Sequence, residues 1–238
     1  MFADADDMLL PRAVEILYHE AKLHDYDLMR SNFIHEDDTH QSLGNIMGIN
    51  SSITWLHGKI YKVRFLREKN IRFPNELRYN EDAYFNVVVW HCTENKGETS
   101  ELTYLWRSNK ESLTRIEGSV GFFKKDPTGF ILSQVLGMQK IYDLNGSIPD
   151  ALLYQTIINI YDHYIKYKFY KFDIEKLDNI LKRWRGQPWI LQFFSKTENW
   201  VNIVQNLKSG QFIEGCVVFS EEPFNDWVGR LFYEDNNC

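Results

Sequence analysis

The chain has 238 residues, of which 44% are hydrophobic and 25% are charged, a composition typical of an ordinary globular protein. Its formal net charge of −6 excludes a global basic field that would recruit nucleic acid, and no stretch approaches the roughly 20 apolar residues of a membrane span. The three cysteines, Cys92, Cys216 and Cys238, follow neither a disulfide framework nor a zinc-ligand spacing. Because the first residues also lack the basic and apolar regions of a signal peptide, the sequence predicts a cytoplasmic protein.

An amphipathic helix is predicted over Met8–Leu23. Apolar side chains recur there with a period of about 3.6 residues. They are Leu10, Val14, Leu17 and Ala21. Pro11 suits the first turn of such a helix, and Asp7, which precedes it, is predicted to be the N-cap.

The next segments predict a strand followed by a second helix. Tyr26–Ile34 has the character of a strand, and a polar loop follows over residues 35–42. Residues 54–69 are mostly helical in pattern, although Gly58 weakens that pattern. Residues 71–74 then predict a loop, because a proline ends the segment.

The segment Glu81–Cys92 is compatible with a buried helix or a strand, because its β-branched run is ambiguous. We favour a helix, since Glu81 and Asp82 would suit the positive N-terminal end of a helix. A strand is predicted next, over Leu102–Trp106.

The second half of the chain is predicted to be mainly helical. Helical periodicity extends from Pro127 to about Leu207 and is followed by one predicted strand, Cys216–Phe219. The predicted breaks between helices lie at Asn145-Gly146, near Phe172-Asp173, and at Gly186-Gln187-Pro188. The sequence therefore predicts an α/β portion over residues 1–117 and a mainly helical region over residues 118–238.

A short acidic motif, Asp4-Ala5-Asp6-Asp7, lies between an apolar residue and the first predicted helix. Two carboxylates two positions apart at the end of a strand can face one cation, and Mg²⁺ and Mn²⁺ prefer such oxygen ligands. The alternative is that the aspartates only cap the helix and interact with its dipole.

Four segments, read in order, resemble family 2 nucleotide-sugar glycosyltransferases. They are the acidic motif with its flanks, Phe2–Pro11; the acceptor-side segment, Trp55–Lys62 with Phe65-Leu66 and Ile71–Pro74; the Glu-Asp motif, Tyr79–Asn86; and the closing strand and loop, Tyr104–Arg107 and Ser112–Thr114. The resemblance covers residues 1 to about 115, and the helical half matches no family that we can name. It implies an α/β fold with a partial GT-A-like mixed sheet and flanking helices, followed by a mainly helical C-terminal region.

The resemblance also implies a divalent metal ion, Mn²⁺ or Mg²⁺, and a nucleotide-diphosphate sugar as the donor. Asp6 would be the principal metal ligand, and Asp7 would be a second contact. Asp4 would contact the nucleotide ribose or assist in binding the metal. Arg107 and Ser112 would hold the diphosphate, because arginine presents a bidentate fork to phosphate oxygens.

On the acceptor side, the resemblance implies an inverting transfer to a hydroxyl group, with Asp82 as the general base. Glu81 would orient Asp82 or bind the acceptor. Trp55, by contrast, is predicted to be a core residue rather than a surface for a sugar.

Members of the family normally carry a nucleotide-binding portion before the acidic motif, whereas three residues precede Asp4 here. We therefore expect a companion chain, or a longer parent chain, to supply the donor-binding half. A second hypothesis is a non-catalytic structural or scaffold protein derived from a glycosyltransferase, with the helical half as its contact surface. A third is an unrelated binding domain whose acidic motif only caps a helix.

Overall fold

A computed structural model describes residues 1–37, 45–50, 52–107, 128–169, 173–209 and 221–233. The chain divides into two compact units, Met1–Asp126 and Pro127–Cys238. Among the described residues, no helix combines the length and the apolar character that crossing a bilayer requires.

The described residues of the first unit form a mixed five-stranded sheet. Its strands are β1 (Met8–Leu9), β2 (Leu28–Asp37), β3 (Asn45–Asn50), β4 (Lys59–Tyr61) and β5 (Lys96–Trp106). The strand order is β1-β5-β2-β3, and β4 also pairs with β2. The β2–β5 pair is parallel and the other pairs are antiparallel.

The described residues of this unit form three helices beside the sheet: α1 (Ala13–Leu23), α2 (Val63–Glu68) and α3 (Glu81–His91). The core of the unit combines buried residues of β2, such as Leu28 and Phe33, with Leu17 of α1 and Val88 of α3. A parallel strand pair needs a long crossover connection, and α2 and α3 lie in the connection between β2 and β5. This crossover places the start of α3 beside the sheet.

The predicted helix over Met8–Leu23 is wrong in its first five residues. Met8 and Leu9 form β1, with Met8 opposite Leu105 and Leu9 opposite Tyr104 of β5. Helix α1 begins only at Ala13, and its N-cap is Arg12. Asp7 is therefore not a helix cap.

The predicted helix over residues 54–69 is also wrong in its first half. Gly58 has a φ of +62°, and its carbonyl oxygen accepts a hydrogen bond from the Ser31 amide at 2.8 Å. The turn at Gly58 leads directly into β4, and only Val63–Glu68 of the predicted segment form a helix. The helix predicted over Glu81–Cys92 is confirmed as α3, and the strand predicted over Leu102–Trp106 is the final part of β5.

In the second unit, every element of secondary structure among the described residues is a helix or a helical turn. Its helices are α4 (Gly129–Asn145), α5 (Asp150–Phe169), α6 (Ile174–Leu181), α7 (Pro188–Ser195), α8 (Thr197–Ser209) and α9 (Glu221–Phe232), with a 3₁₀ turn over Lys182–Trp184. Large apolar side chains, among them Trp184, Phe193 and Phe224, are fully buried in its core. The mainly helical character predicted for this region is confirmed, whereas the strand predicted over Cys216–Phe219 lies outside the described residues.

Local sequence explains where these helices begin and end. Gly146 ends α4 with a φ of +71°, a conformation that costs little for glycine. Asp173 caps α6, since its carboxylate accepts a hydrogen bond from the Lys176 amide at 3.3 Å. Pro188 lies in the first turn of α7, where a missing amide proton is tolerated.

Candidate active site

The acidic motif is anchored to the C-terminal end of β5 through Asp7. The Tyr104 hydroxyl donates a hydrogen bond to Oδ2 of Asp7 at 2.7 Å, and the Arg107 amide donates to Oδ1 at 2.9 Å. The Asp7 side chain is only 2% exposed. The Tyr104 hydroxyl also accepts a hydrogen bond from the Asp4 amide at 3.2 Å, so this tyrosine fixes both ends of the motif.

The carboxyl groups of the motif share a negative electrostatic environment with the start of α3. The pKa of Asp4 is raised, first by partial removal of its carboxyl group from water and then by the negative charges of Asp7, Asp6 and Glu81. The fold therefore brings the two acidic motifs, which are more than 70 residues apart in the sequence, within mutual electrostatic reach.

Asp82 is half-buried in the first turn of α3. Burial raises its pKa to about 6, a hydrogen bond from the Ala83 amide to its Oδ1 at 2.7 Å opposes that shift, and the charges of Glu81 and Asp4 add to it. A carboxyl group in this range is ionised at neutral pH and yet takes up a proton more readily than an ordinary aspartate.

A buried amide, Asn86, connects Asp82 to the segment that precedes β4. Asn86 is 1% exposed, and its Nδ2 donates hydrogen bonds to the carbonyl oxygens of Asp82 at 2.8 Å and Thr54 at 3.0 Å. Its Oδ1 accepts a hydrogen bond from the Tyr61 hydroxyl at 2.6 Å. Because these partners lie on three separate parts of the chain, Asn86 fixes the position of the α3 start against the Thr54 loop.

Six rings form a continuous group, which we call the aromatic cluster. Its members are Phe33, His35, Trp55, His57, Tyr104 and Trp106. Adjacent ring centroids are 4.1 to 6.0 Å apart. Three of the rings, Phe33, His57 and Tyr104, are buried, and the other three are half-buried. Trp55 was predicted to lie in the core, whereas the residue is half-buried and packs against other members of this cluster.

The sequence reasoning did not predict two buried side chains of this region, His57 within the cluster and Lys59 next to it. His57 lies 4.0 Å from Asp7, measured from Nδ1 to Oδ2, and burial lowers its pKa to about 4, with smaller contributions from the charges of Lys59 and His35. Lys59 is 1% exposed and donates a hydrogen bond to the Trp55 carbonyl oxygen. Its pKa is lowered to about 7, chiefly by burial. The burial of Lys59 could not be predicted from the sequence, because the segment has a helical pattern and the lysine is buried only through the pairing of β4 with β2.

The two residues predicted to hold the diphosphate are Arg107 and Ser112, and the structure describes only the first of them. Arg107 is exposed, and its guanidinium Nε lies 3.6 Å from an Oε2 atom of Glu36. Ser112 lies outside the described residues. Within the described part of the chain, no three side chains of the His, Cys, Asp or Glu type are arranged to hold a metal ion by themselves.

Comparison with known proteins gives a likeness at the level of structure only. No family model matches the sequence, and no curated protein matches it. The crystal structure of S. aureus TarS 1-349 in complex with UDP-GlcNAc is similar over 77% of this chain and 55% of that chain, at 15% sequence identity and a TM-score of 0.50. A crystal structure of S. aureus TarS 1-349 is similar over 97% of this chain and 55% of that chain, at 14% identity and a TM-score of 0.47.

The chain thus spans about half the length of the TarS structures that it resembles. The likeness to the UDP-GlcNAc complex shows a glycosyltransferase fold. The predicted fold class is confirmed: an α/β unit with a mixed sheet and flanking helices, consistent with a partial GT-A-like fold, is followed by a helical C-terminal region.

Proposed function

We propose that the chain is the acceptor-side part of an inverting, metal-dependent glycosyltransferase that moves a sugar from a nucleotide-diphosphate donor to an acceptor hydroxyl. The observation that supports this proposal is the shared electrostatic environment of Asp4, Glu81 and Asp82, in which burial and neighbouring carboxylates raise the pKa of Asp4 and of Asp82. The similar TarS structures were solved in complex with UDP-GlcNAc and with UDP, which supports a nucleotide sugar as the donor.

Asp82 is the proposed general base. As the acceptor oxygen attacks the anomeric carbon, its proton passes to the Asp82 carboxylate, and the bond from the anomeric carbon to the diphosphate breaks with inversion. A pKa of about 6 suits this task, because the base is ionised at neutral pH but remains a good proton acceptor. Glu81 raises the pKa of Asp82 further, and its proposed role is to orient Asp82 or to bind the acceptor.

Asp6 and Asp4 are the proposed ligands of Mn²⁺ or Mg²⁺, with Asp7 holding the motif in place. Their mutual repulsion fits a cation, and such ions are commonly bound by one or two carboxylates together with substrate phosphates. A metal bound there would neutralise the charge that develops on the departing diphosphate. Arg107 and Ser112 are proposed to contact that diphosphate.

The nucleotide base is proposed to contact a companion segment or chain, because the chain corresponds to 55% of the TarS structures. Asp4 is proposed to reach the nucleotide ribose where it does not serve the metal.

The proposal is tested by the release of nucleoside diphosphate from a panel of UDP-, GDP- and dTDP-sugars in the presence of Mn²⁺. For the donor that is turned over, Asp82→Asn should lower the rate by about 10² to 10⁴-fold, the usual contribution of a general base. Binding of UDP by the same variant should not change. The matched variant Glu81→Gln, one residue away, should lose much less activity. Equal rates in Asp82→Asn and the unchanged chain would contradict the assignment of the base.

A further inference from the structure

Lys59 is a fully buried lysine to which the proposed reaction gives no role. It is 1% exposed and lies in β4, opposite Arg30 of β2. Residues two positions apart on a strand point to the same face, so Lys59 shares its face of β4 with Tyr61, which is also buried. The Tyr61 hydroxyl donates a hydrogen bond to Asn86 of α3 at 2.6 Å. Lys59 therefore lies on the face of β4 that meets α3.

Two buried side chains hold consecutive carbonyl groups of the segment that precedes β4. The amide of Asn86 donates hydrogen bonds to the carbonyl oxygen of Thr54 at 3.0 Å and to that of Asp82 at 2.8 Å. The ammonium group of Lys59 donates a hydrogen bond to the next carbonyl oxygen, that of Trp55. Because the two carbonyl groups are adjacent in the chain, Lys59 and Asn86 together fix this segment against the first turn of α3.

The ammonium group of Lys59 also acts on Asp82 through its charge. Burial lowers the pKa of Lys59 to about 7, the charge of Arg30 adds to this effect, and the carboxylate of Asp82 opposes it. The attraction is mutual, so the ammonium group favours the ionised form of Asp82. The charges of Glu81 and Asp4 have the opposite effect, because both are negative and raise the pKa of Asp82. Lys59 therefore offsets the repulsion within the acidic site.

We propose that Lys59 is a positioning residue for the candidate base: its buried ammonium group fixes the Thr54–Trp55 segment beside α3 and supplies the positive charge that keeps Asp82 ionised. This inference rests on the proposed function, because it takes Asp82 as the base. A buried ammonium group is costly for stability, and an apolar side chain of similar volume would not carry that cost. Without the charge, Asp82 would face only carboxylates, and a larger fraction of it would be protonated and unable to accept a proton.

The test measures the pKa of Asp82 directly, from the carboxyl carbon signals of the ¹³C-labelled chain as a function of pH. The signal of Asp82 is the titrating signal that is absent from Asp82→Asn. Lys59→Gln removes the charge but retains a hydrogen-bond donor for the Trp55 carbonyl oxygen, whereas Lys59→Met removes both. The pKa of Asp82 should rise above its value of about 6 in both variants. His57 does not interfere, since its own pKa is about 4.

Turnover gives a second readout. In Lys59→Gln, the inflection in kcat/KM that reports Asp82 should move to higher pH. The loss of rate should therefore be largest below the inflection and small well above it, where Asp82 is ionised with or without the lysine. If Lys59 acted only as a hydrogen-bond donor, Lys59→Gln would retain the original inflection, and Lys59→Met would lose rate equally at every pH.

Lys96→Gln is the matched control. Lys96 is a half-buried lysine of the same unit, and its ammonium group also binds backbone carbonyl oxygens, those of Trp90 at 2.8 Å and Thr93 at 3.0 Å. These partners lie at the end of α3 and beyond it, away from the first turn that contains Asp82. This variant should leave both the pKa of Asp82 and the pH profile of turnover unchanged.

Two results would overturn the inference: an unchanged pKa of Asp82 in Lys59→Gln and Lys59→Met, or an equal rise in Lys96→Gln. The two proposals fail separately. A rise in the pKa of Asp82 in a chain that turns over no nucleotide sugar would remove the proposed function and keep the interaction of Lys59 with Asp82. Turnover that depends on Asp82, with a pKa that does not respond to Lys59, would keep the function and remove the positioning role.

Discussion

At the scale of single residues, the environment that raises the pKa of Asp82 affects both the stability of the protein and the pH dependence of turnover. Its pKa in the folded chain is raised from 3.8 to about 6, so the folded state holds this proton more tightly than the unfolded state does. The folded state therefore loses stability relative to the unfolded state as the pH rises from 3.8 to about 6, and the whole cost is present at neutral pH. Such a cost is expected where function rather than stability selects the residue.

Asp82→Asn should accordingly stabilise the protein at neutral pH. Asparagine does not ionise, and its side-chain oxygen can still accept the hydrogen bond that the Ala83 amide gives to Asp82. Urea denaturation should show a higher free energy of unfolding for the variant at neutral pH, and little of this gain near pH 3.8, where the aspartate is protonated in the folded state and half protonated in the unfolded state. A gain of the same size at both pH values would show that burial does not raise the pKa of Asp82.

The same group predicts the pH dependence of turnover. Protonated Asp82 cannot accept the acceptor's proton, so kcat/KM should rise with pH and level off above an inflection near 6. Glu81→Gln removes a charge that raises the pKa of Asp82, and should move this inflection to lower pH. A profile without an inflection in this region would count against Asp82 as the base.

The hydroxyl group of Tyr104 is expected to stabilise the conformation of the acidic motif. Tyr104→Phe removes the hydroxyl that donates to Asp7 and accepts from the Asp4 amide. Because the Asp7 carboxylate is 2% exposed, we expect a loss of about 1–3 kcal/mol in the free energy of unfolding, measured by urea denaturation. Tyr233→Phe, at a tyrosine that is 41% exposed, is the control and should change little. Equal effects of the two substitutions would mean that the Tyr104 hydroxyl bonds contribute no net stability.

At the scale of elements, the turn at Gly58 decides whether the following residues form a strand or a helix. An added Cβ at Gly58 would lie 2.6 Å from the Ser31 Oγ atom and 3.2 Å from the Ser31 carbonyl oxygen, at a φ of +62°. Neighbouring β4 pairs with β2 at this point, so a shift here would disturb Lys59 and Trp55 as well.

Gly58→Ala should therefore destabilise the protein by more than the roughly 1 kcal/mol expected for a positive φ alone. Gly146→Ala is the matched control, since Gly146 has a φ of +71° and an added Cβ there would meet nothing within 4 Å. Denaturation midpoints of the two variants measure the difference. Equal losses would show that the contact with Ser31 relaxes without cost.

The elements that the sequence predicted correctly are those specified by local pattern. Helix α3 has acidic residues in its first turn, and the second unit has glycine, aspartate and proline at its helix ends. The short strands β1 and β4 were missed, because two or three residues have no period of their own. Met8 and Leu9 are extended because they pair with β5 beside the anchored Asp7, a tertiary contact that no local pattern reveals.

At the scale of the whole molecule, the candidate site is a product of the fold. Asp4, Asp6, Glu81 and Asp82 were proposed from a family resemblance, and the structure places their charges within reach of one another. Asn86, Lys59 and the aromatic cluster had no comparable signal. Their polar groups are buried only because β4, β5 and α3 meet, and the burial of a polar side chain cannot be predicted from spacing alone.

The central claim, that the carboxylates of this chain hold a metal-bound nucleotide diphosphate, is tested most directly by calorimetric titration with UDP in the presence and absence of Mn²⁺. We expect binding that requires Mn²⁺ and that weakens at least about tenfold in Asp6→Ala, a change of at least about 1.4 kcal/mol. Asp226→Ala, which removes the same charge at an exposed position of α9, should bind as the unchanged chain does. The absence of Mn²⁺-dependent binding, or equal binding by the Asp6 and Asp226 variants, would contradict the claim.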